Sequence, residues 1–491
     1  MKSRNMNFAI TIALAALIMP LHLSSQVLQP SRHHHYKLID LGTFGGPNSS
    51  FVNPPPGGRL LNNQGAAVGG SDTPTPDSDS CWNFDCYLSY GFRWKNGVAH
   101  KLDALPGFNS SFAFWASDDG LVAGTSEDGI DPLTGAIALE AVLWRKDGTL
   151  VDLGTLGGNG SVAASVNKWG QVVGGALNAI PDPYTSVYPF SYFPGATQAH
   201  AFLWQHGTMR DLGTLGGPDS AALEINDRGQ VAGWSFINSI PNPDTGVPTL
   251  DPFFWDGEKM HDIGSLGGTF GLSYALNNSG QVVGGSQLAG NSTVHPFLWQ
   301  RGVLTDLGTL GGDNGEALWL NDAGDIVGYA DVSGRFSDHA FLWRRGAMTD
   351  LGTLDQCSVA FGINAQRQVV GKSTDCNDNT LHPFLWERGS IVDLNTLVIP
   401  GSGVTVIEPL FINDRGEIAA NGLLANGDAH AVLLIPCDEG HSGVSGCDYN
   451  DVDDAALARA MSDVPSLLRT RPRASEALRY PLRGSKKRRV H

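Results

Sequence analysis

Asp338-His339-Ala340-Phe341-Leu342-Trp343-Arg344-Arg345-Gly346-Ala347-Met348-Thr349-Asp350-Leu351-Gly352-Thr353-Leu354 is the stretch on which the fold turns. Ala340 to Trp343 is apolar on both faces. Arg345-Gly346 is turn chemistry, and Ala347 to Leu351 runs back as a second short strand. A strand apolar on both faces has to be covered on both sides.

The same stretch recurs along the chain. D-L-G-T-L-G-G stands at Asp152, Asp211 and Asp306, with variants opening at Asp40, Asp103, Asp262, Asp350 and Asp393, at spacings of 43 to 63 residues. The F-L-W phrase or a relative ends at Trp94, Trp144, Trp204, Trp255, Trp299, Trp343 and Trp386, with Leu434 in the last copy. A third phrase, N-x-x-G before β-branched residues, opens at Asn62, Asn167, Asn226, Asn277, Asn321 and Asn413. Ser117–Gly120 and Asn364–Arg367 are degenerate copies. Asn opens a turn and Gly accepts positive φ at its close.

Each unit therefore holds four short strands: A before N-x-x-G, B after it, C ending in F-L-W, and D carrying Asp-Leu-Gly. No helical periodicity competes. Repeats of 40 to 50 residues with four strands predict an all-β fold, a β-propeller whose sheets cover one another. The first strand, Tyr36 to Leu41, is a lone D; the last, Ala429 to Ile435, is a C without its D. Joined, they complete a blade and remove an exposed edge. The count is eight four-stranded blades, or seven if the divergent unit Leu102–Val151 folds differently.

Composition agrees. Of 491 residues 41% are hydrophobic and only 16% charged, against about 25% in ordinary domains. The net charge of −17 and the 62 glycines exclude a nucleic-acid-binding body, a coiled coil and a charged disordered chain.

Lys2 and Arg4 precede an apolar run, Phe8–Met19, then Ser24 and Ser25, which reads as a signal peptide over residues 1–25. The run is too short for a comfortable membrane span, and the mature chain is expected to have none. Secretion, or display at the cell surface or in the periplasm, follows. Six cysteines in such a chain predict disulfides, by proximity Cys81–Cys86, Cys357–Cys376 and Cys437–Cys447. Residues 437–491 read as an extension, largely disordered. From Arg469 onward nine Lys or Arg face only Glu476, a local +8 that leaves the body at −25.

The phrases Ala199-His200-Ala201-Phe202-Leu203-Trp204 and Asp338-His339-Ala340-Phe341-Leu342-Trp343 resemble the bacterial extracellular HAF-repeat family, named for His-Ala-Phe. His295, His382 and His430 hold the same place; Tyr90, Glu140 and Asp251 depart from it. The resemblance spans residues 36–436 and implies secretion and a repeat-built β structure, with no established reaction.

Several residues invite a chemical reading. Five equivalent histidines lie in different blades, so they cannot converge on one metal; hydrogen bonding is expected instead, and no metal or cofactor is predicted. The eight Asp of D-L-G suit turn capping better than catalysis. G-T-L-G-G lacks the phosphate-binding spacing. The Trp of strand C suit the core between blades.

The informative residues are those that do not repeat. In an antiparallel meander the B–C and D–A connections share one face. B–C is long in blades 1 to 4 (Ser71–Ser89, Thr125–Leu139, Ala176–Ala199, Ser235–Leu250) and about ten residues in the others. These segments bring Trp82, Phe84, Tyr87, Tyr184, Tyr188, Phe190, Tyr192, Phe193, Trp234 and Phe236, with Asp72, Asp77, Asp79, Asp85, Asp131, Asp182 and Asp244. The rings either meet a ligand or anchor the loops. The expected function is a non-catalytic binding propeller for a polysaccharide or a surface protein. The alternatives are a glycoside hydrolase or lyase using loop carboxylates, and a structural envelope protein. No G-x-S-x-G, H-E-x-x-H or P-loop pattern occurs.

Overall fold

A computed structural model describes residues 32–51, 58–77, 86–182, 184, 197–243, 245–334, 337–453 and 456–457. The expected signal peptide and the basic tail lie outside the described residues.

Eight four-stranded antiparallel groups follow one another in sequence. Blade 3 is representative: Gly157–Val166, Val172–Pro181, Thr197–Gln205 and Thr208–Gly213 pair in order from A to D. Blades 4 and 5 also share one parallel bridge, Leu250 to Phe270. The last blade takes A, B and C from Val404–Ile412, Ile418–Leu424 and Ala429–Pro436, and its fourth strand from Tyr36–Asp40. The chain's two ends thus share one sheet, as the unpaired D and C strands required.

The repeat phrases have visible packing reasons. The first Gly after the apolar pair of strand B lies under strand A: a Cβ on Gly174 would stand 1.9 Å from the Val162 carbonyl oxygen, and one on Gly284 1.9 Å from that of Leu272. The Phe of F-L-W covers the same glycines and is buried, as at Phe202 and Phe297. Of the strand-C tryptophans, Trp94, Trp144, Trp204 and Trp255 are buried, while Trp299, Trp343 and Trp386 are half-buried. Each inner strand of blades 2 to 8 carries a β-bulge in its second half. The residues after it alternate in size round the ring: Trp115, Ser165, Glu224, Ala275, Trp319, Gly362, Phe411. All are buried, and Trp319 of blade 6 meets Phe411 of blade 8 edge-on at 5.5 Å, passing blade 7 where that place is a glycine.

The Asn of N-x-x-G does more than open a turn. Its side-chain oxygen accepts the N–H groups two and four residues on, as Asn226 does from Arg228 and Gln230. Its amide then donates to the main-chain carbonyl at the same place in the next blade: Asn167 to Asn226, Asn226 to Asn277, Asn277 to Asn321, Asn321 to Asn364, and Asn364 to Asn413, at 3.0 to 3.1 Å. Asn413 donates to Asn62 at 3.0 Å, across the junction of last and first blades, and Asn62 to Ser117 at 2.8 Å. Ser117 is the one break: its hydroxyl oxygen accepts the N–H of Leu121 in its own turn. The irregular copy at Asn364 keeps the geometry, with Arg367 taking the left-handed backbone (φ 64°) that Gly takes elsewhere.

The extension after 436 is in part built onto the ring. Cys437 and Cys447 are bonded, and Val452–Asp453 pairs with Arg32–His33. Cys357 and Cys376 are bonded as expected; Cys81 of the third expected pair lies outside the described residues.

Breaking the belt at the closure by Asn413→Ala is expected to cost about 1–3 kcal/mol, because a buried carbonyl and two N–H groups lose their partner. Ser117→Asn, which completes the belt, is expected to raise stability by up to ~1 kcal/mol. Urea midpoints at unchanged slope measure both. Deleting Tyr36–Asp40 strips the last blade of its fourth strand. A large fall in melting temperature is expected; unchanged melting would mean the ring does not depend on this strand.

Candidate functional site

The face opposite the Asn belt carries the long connections. In blades 1 to 3, part of what the sequence suggests is loop is β-ribbon: strands B and C run on past a register shift to pair Pro76 with Tyr87, Ile130 with Ile137, and Pro181 with Thr197. Blade 4 has a loop between Val231–Phe236 and Leu250–Trp255, pinned by Ile237 to Thr249 and Asn242 to Val247 hydrogen bonds. Blades 5 to 8 have only short connections there.

The candidate rings fare differently. Tyr87 starts strand C of blade 1 and is half-exposed. Tyr184 is half-buried; its hydroxyl donates to the Ser239 carbonyl at 3.2 Å, tying the blade 3 connection to that of blade 4. Trp234 and Phe236 correct the sequence reading: they belong to strand B of blade 4, not to its loop, and are 1% and 4% exposed. They stack edge to face with centroids 6.2 Å apart, and Tyr184 leans on Phe236 at 6.3 Å. A B strand is covered by the neighbouring blades on both faces, so these rings anchor the loop and are not offered to a ligand. Trp82, Phe84, Tyr188, Phe190, Tyr192 and Phe193 lie outside the described residues.

The repeated His and the Asp of D-L-G are two halves of one device. The Nδ1 of His200, His295, His339 and His382 donates to Asp211, Asp306, Asp350 and Asp393 on the adjoining strand, and His430 reaches Asp40 across the closure, at 2.8 to 3.1 Å. Each Asp also accepts the main-chain N–H two residues on, as Gly213 to Asp211 at 2.7 Å. Burial works against a charged His200, but the Asp211 hydrogen bond and the charges of Asp211 and Asp219 outweigh it and its pKa is raised. The hydrogen bond to Asp393 raises that of His382.

Three blades fill the His place otherwise. In blade 1 Lys101 sits 4.1 Å over the Tyr90 ring and 2.9 Å from Asp103. In blade 2 Glu140 is pushed up to about 8, by burial first, then by a hydrogen bond to Asp128 and the charges of Asp152 and Asp128. In blade 4 Asp251 is pushed up to about 7 by burial and the Asp262 charge. Glu224, at the inner wall, is raised to about 8 by burial although the Leu276 N–H donates to it at 2.6 Å. Burial thus favours the protonated form of two acids in the place where five other blades carry a His–Asp pair.

A further histidine group went unread in the sequence. His33 is buried with Nδ1 2.9 Å from Glu387; His34 lies 3.1 Å from Asp451; and buried His441 lies between Asp438 at 2.7 Å and Glu417 at 3.4 Å. They tie the segments flanking the ring to blades 7 and 8 and, through His34 and Asp451, to each other, beside an open depression of about 1040 Å³ lined by Arg32, Asp438, Tyr449 and Asp451. The signal was available: three consecutive histidines before the first strand, and an acid-rich run after the last. Among the described residues no three His, Cys, Asp or Glu are placed to share a metal ion.

No known family model matches this chain, and no curated protein matches it. Among solved structures it is similar to the β-propeller domain of the Trilobed protease from Pyrococcus furiosus (9% identity, TM-score 0.42, 69% of this chain and 98% of that one). It is also similar to TolB from Acinetobacter baumannii (11%, 0.33, 75% and 79%). Porphyromonas gingivalis dipeptidyl peptidase 4 is a third (11%, 0.42, 62% and 48%), so the chain spans about half its length. The propeller assignment rests on the strand pairing described above.

The titrating groups set a pH dependence with an alkaline and an acid flank. Glu140, Glu224 and Asp251 hold their protons more tightly folded than unfolded, so their contribution is full below the ordinary carboxyl range and is lost as pH rises towards 7 and 8. His200 and His382, also raised, contribute fully below the free His value and lose it above. Asp211, Asp306 and Glu387 are lowered and lose their contribution only as pH falls below roughly 4. Melting temperature is therefore expected to peak at about pH 4 to 5 and to fall towards pH 9. Glu140→Gln with Asp251→Asn should flatten the alkaline side. A melting temperature that holds or rises from pH 6 to 9 contradicts this account.

Proposed function

We propose that the protein is a secreted or envelope-exposed binding propeller of the HAF-repeat type, not an enzyme. It recognises a polysaccharide or a surface protein with the long-connection face of blades 1 to 4. One observation carries the reading: all the extended B–C connections rise from one face over one half of the ring, three of them as ribbons continuous with the blades. Added chain on one face of a repeat protein, held by a rigid scaffold, is how such folds build binding surfaces. Two disulfides support an oxidising compartment.

Glu140 favours a second reading. A carboxyl raised to about 8 by burial beside other acids is the kind of group that glycoside hydrolases use as general acid. Its place in the C–D seam, where other blades carry His–Asp pairs, argues for a structural use.

Replacing residues 183–196 by a short Gly-containing turn is expected to abolish saturable binding on an array of bacterial polysaccharides and surface proteins while melting stays within a few degrees. Binding that survives the replacement would overturn the choice of face. Release of reducing sugar that disappears in Glu140→Gln would establish the second reading instead.

A further inference from the structure

The segments that flank the ring are held by histidines, and each histidine has a carboxylate across the contact. His33, before the first strand, lies 2.9 Å from Glu387 at the end of strand C of blade 7, both buried. His34 lies 3.1 Å from Asp451 and His35 3.7 Å from Asp448, so the leading segment also grips the trailing one. His441, after the last strand, lies 2.7 Å from Asp438 in its own turn and 3.4 Å from Glu417, just before strand B of blade 8. The other charges facing these contacts are Arg415, 3.1 Å from Glu417; Arg32, 3.9 Å from Asp451; Arg388, which donates to the Arg32 carbonyl oxygen; and Lys37 beside Gly446. Glu439 and Asp453 line the depression that His34 lines, and the buried Tyr36 phenol beside Glu387 is held neutral by burial.

Beneath these segments lies a cavity of about 540 Å³. His34, Gly440 and His441 form one wall, and Gln366, Arg388 and Arg415, on turns of blades 7 and 8, form the other. The flanking segments therefore roof a space on the Asn-belt face of the ring.

The roof depends on charge. A protonated His441 bridges Asp438 and Glu417; a neutral one leaves two carboxylates facing each other with a single ring proton between them, at a place where water screens poorly. The Glu417 hydrogen bond, helped by that of Asp438 and opposed by burial, raises the pKa of His441. Burial works to raise Glu387 and Glu417. The hydrogen bonds from His33 and Gln368 to the first, and from His441 and Asn413 to the second, outweigh it, and both are lowered. The acids thus keep their charge from weakly acid to alkaline pH. The His441 contribution is full below the free histidine value and is lost as pH rises through the raised one.

We propose that residues 32–35 and 437–453 form a strap that protonated histidines hold against blades 7 and 8, and that it opens between about pH 6 and pH 8.5, exposing the cavity beneath. This does not depend on the binding function proposed above.

Amide hydrogen exchange of the full mature chain, expressed as protection relative to the free-peptide rate at each pH, reads the opening. Amides of 437–453 are expected to lose about tenfold or more in protection from pH 6 to pH 8.5. Those of Gly267–Leu276 in blade 5 report the ring and should lose less. His441→Gln with Glu387→Gln carries no charge at either place; its strap should be poorly protected already at pH 6 and lose most of the difference between the two pH values. The wild-type profile decides even where this double variant does not fold. Equal strap protection at the two pH values, loss in step with blade 5, or an unchanged pH dependence in a folded double variant overturns the inference.

Discussion

A side-chain amide that satisfies its own turn and the next blade together is the constraint on which this ring depends. Only Asn has the required set: an oxygen for two N–H groups of the tight turn, and an NH2 to reach the neighbour's carbonyl. Asp lacks the donor and Ser lacks the reach, as Ser117 shows by turning its hydroxyl back on its own turn. The link from Asn413 to Asn62 spans 351 residues of chain yet has the geometry of the others. With Tyr36–Asp40 on the last blade, it makes the closure a repeat like any other.

Further out, one seam is solved by several chemistries. His–Asp pairs join strands C and D in five blades; in two others burial raises an acid, Glu140 or Asp251, beside the D-strand Asp, and in blade 1 Lys101 bridges the Tyr90 ring and Asp103. The position accepts His, an acid or Tyr beside the D-strand Asp, and charge follows from whatever stands there. That is why the His phrase, which looks like a ligand set in sequence, holds no converging ligands.

The blade count, strand order and end-to-end closure were legible in the sequence because each phrase repeats in step and each has a local reason: turn, glycine, apolar strand. What was not legible concerns neighbours. That His339 faces Asp350 needs the register of two strands, and that Asn364 belongs to the belt despite Arg367 needs the φ of a single residue. Trp234 and Phe236 were read as loop because they border one; burial on a strand covered from both sides depends on the adjoining blades. The extended ribbons were hidden for a similar reason, since a register shift breaks the alternation by which a strand is recognised in sequence.

These constraints explain why elaboration sits where it does. An A–B turn cannot lengthen without separating the Asn oxygen from the N–H groups two and four residues on, and the amide from the next blade. The turns of that face are therefore tied to one length by the bonds that hold the ring together. B–C connections carry no link of this kind. They can grow by simple extension of two paired strands, and a ribbon of that sort already satisfies its own backbone. Stability thus claims one face of the propeller and leaves the other free to vary, so the chemistry that distinguishes this protein from a bare scaffold is to be sought on the ribbons of blades 1 to 3 and the pinned loop of blade 4.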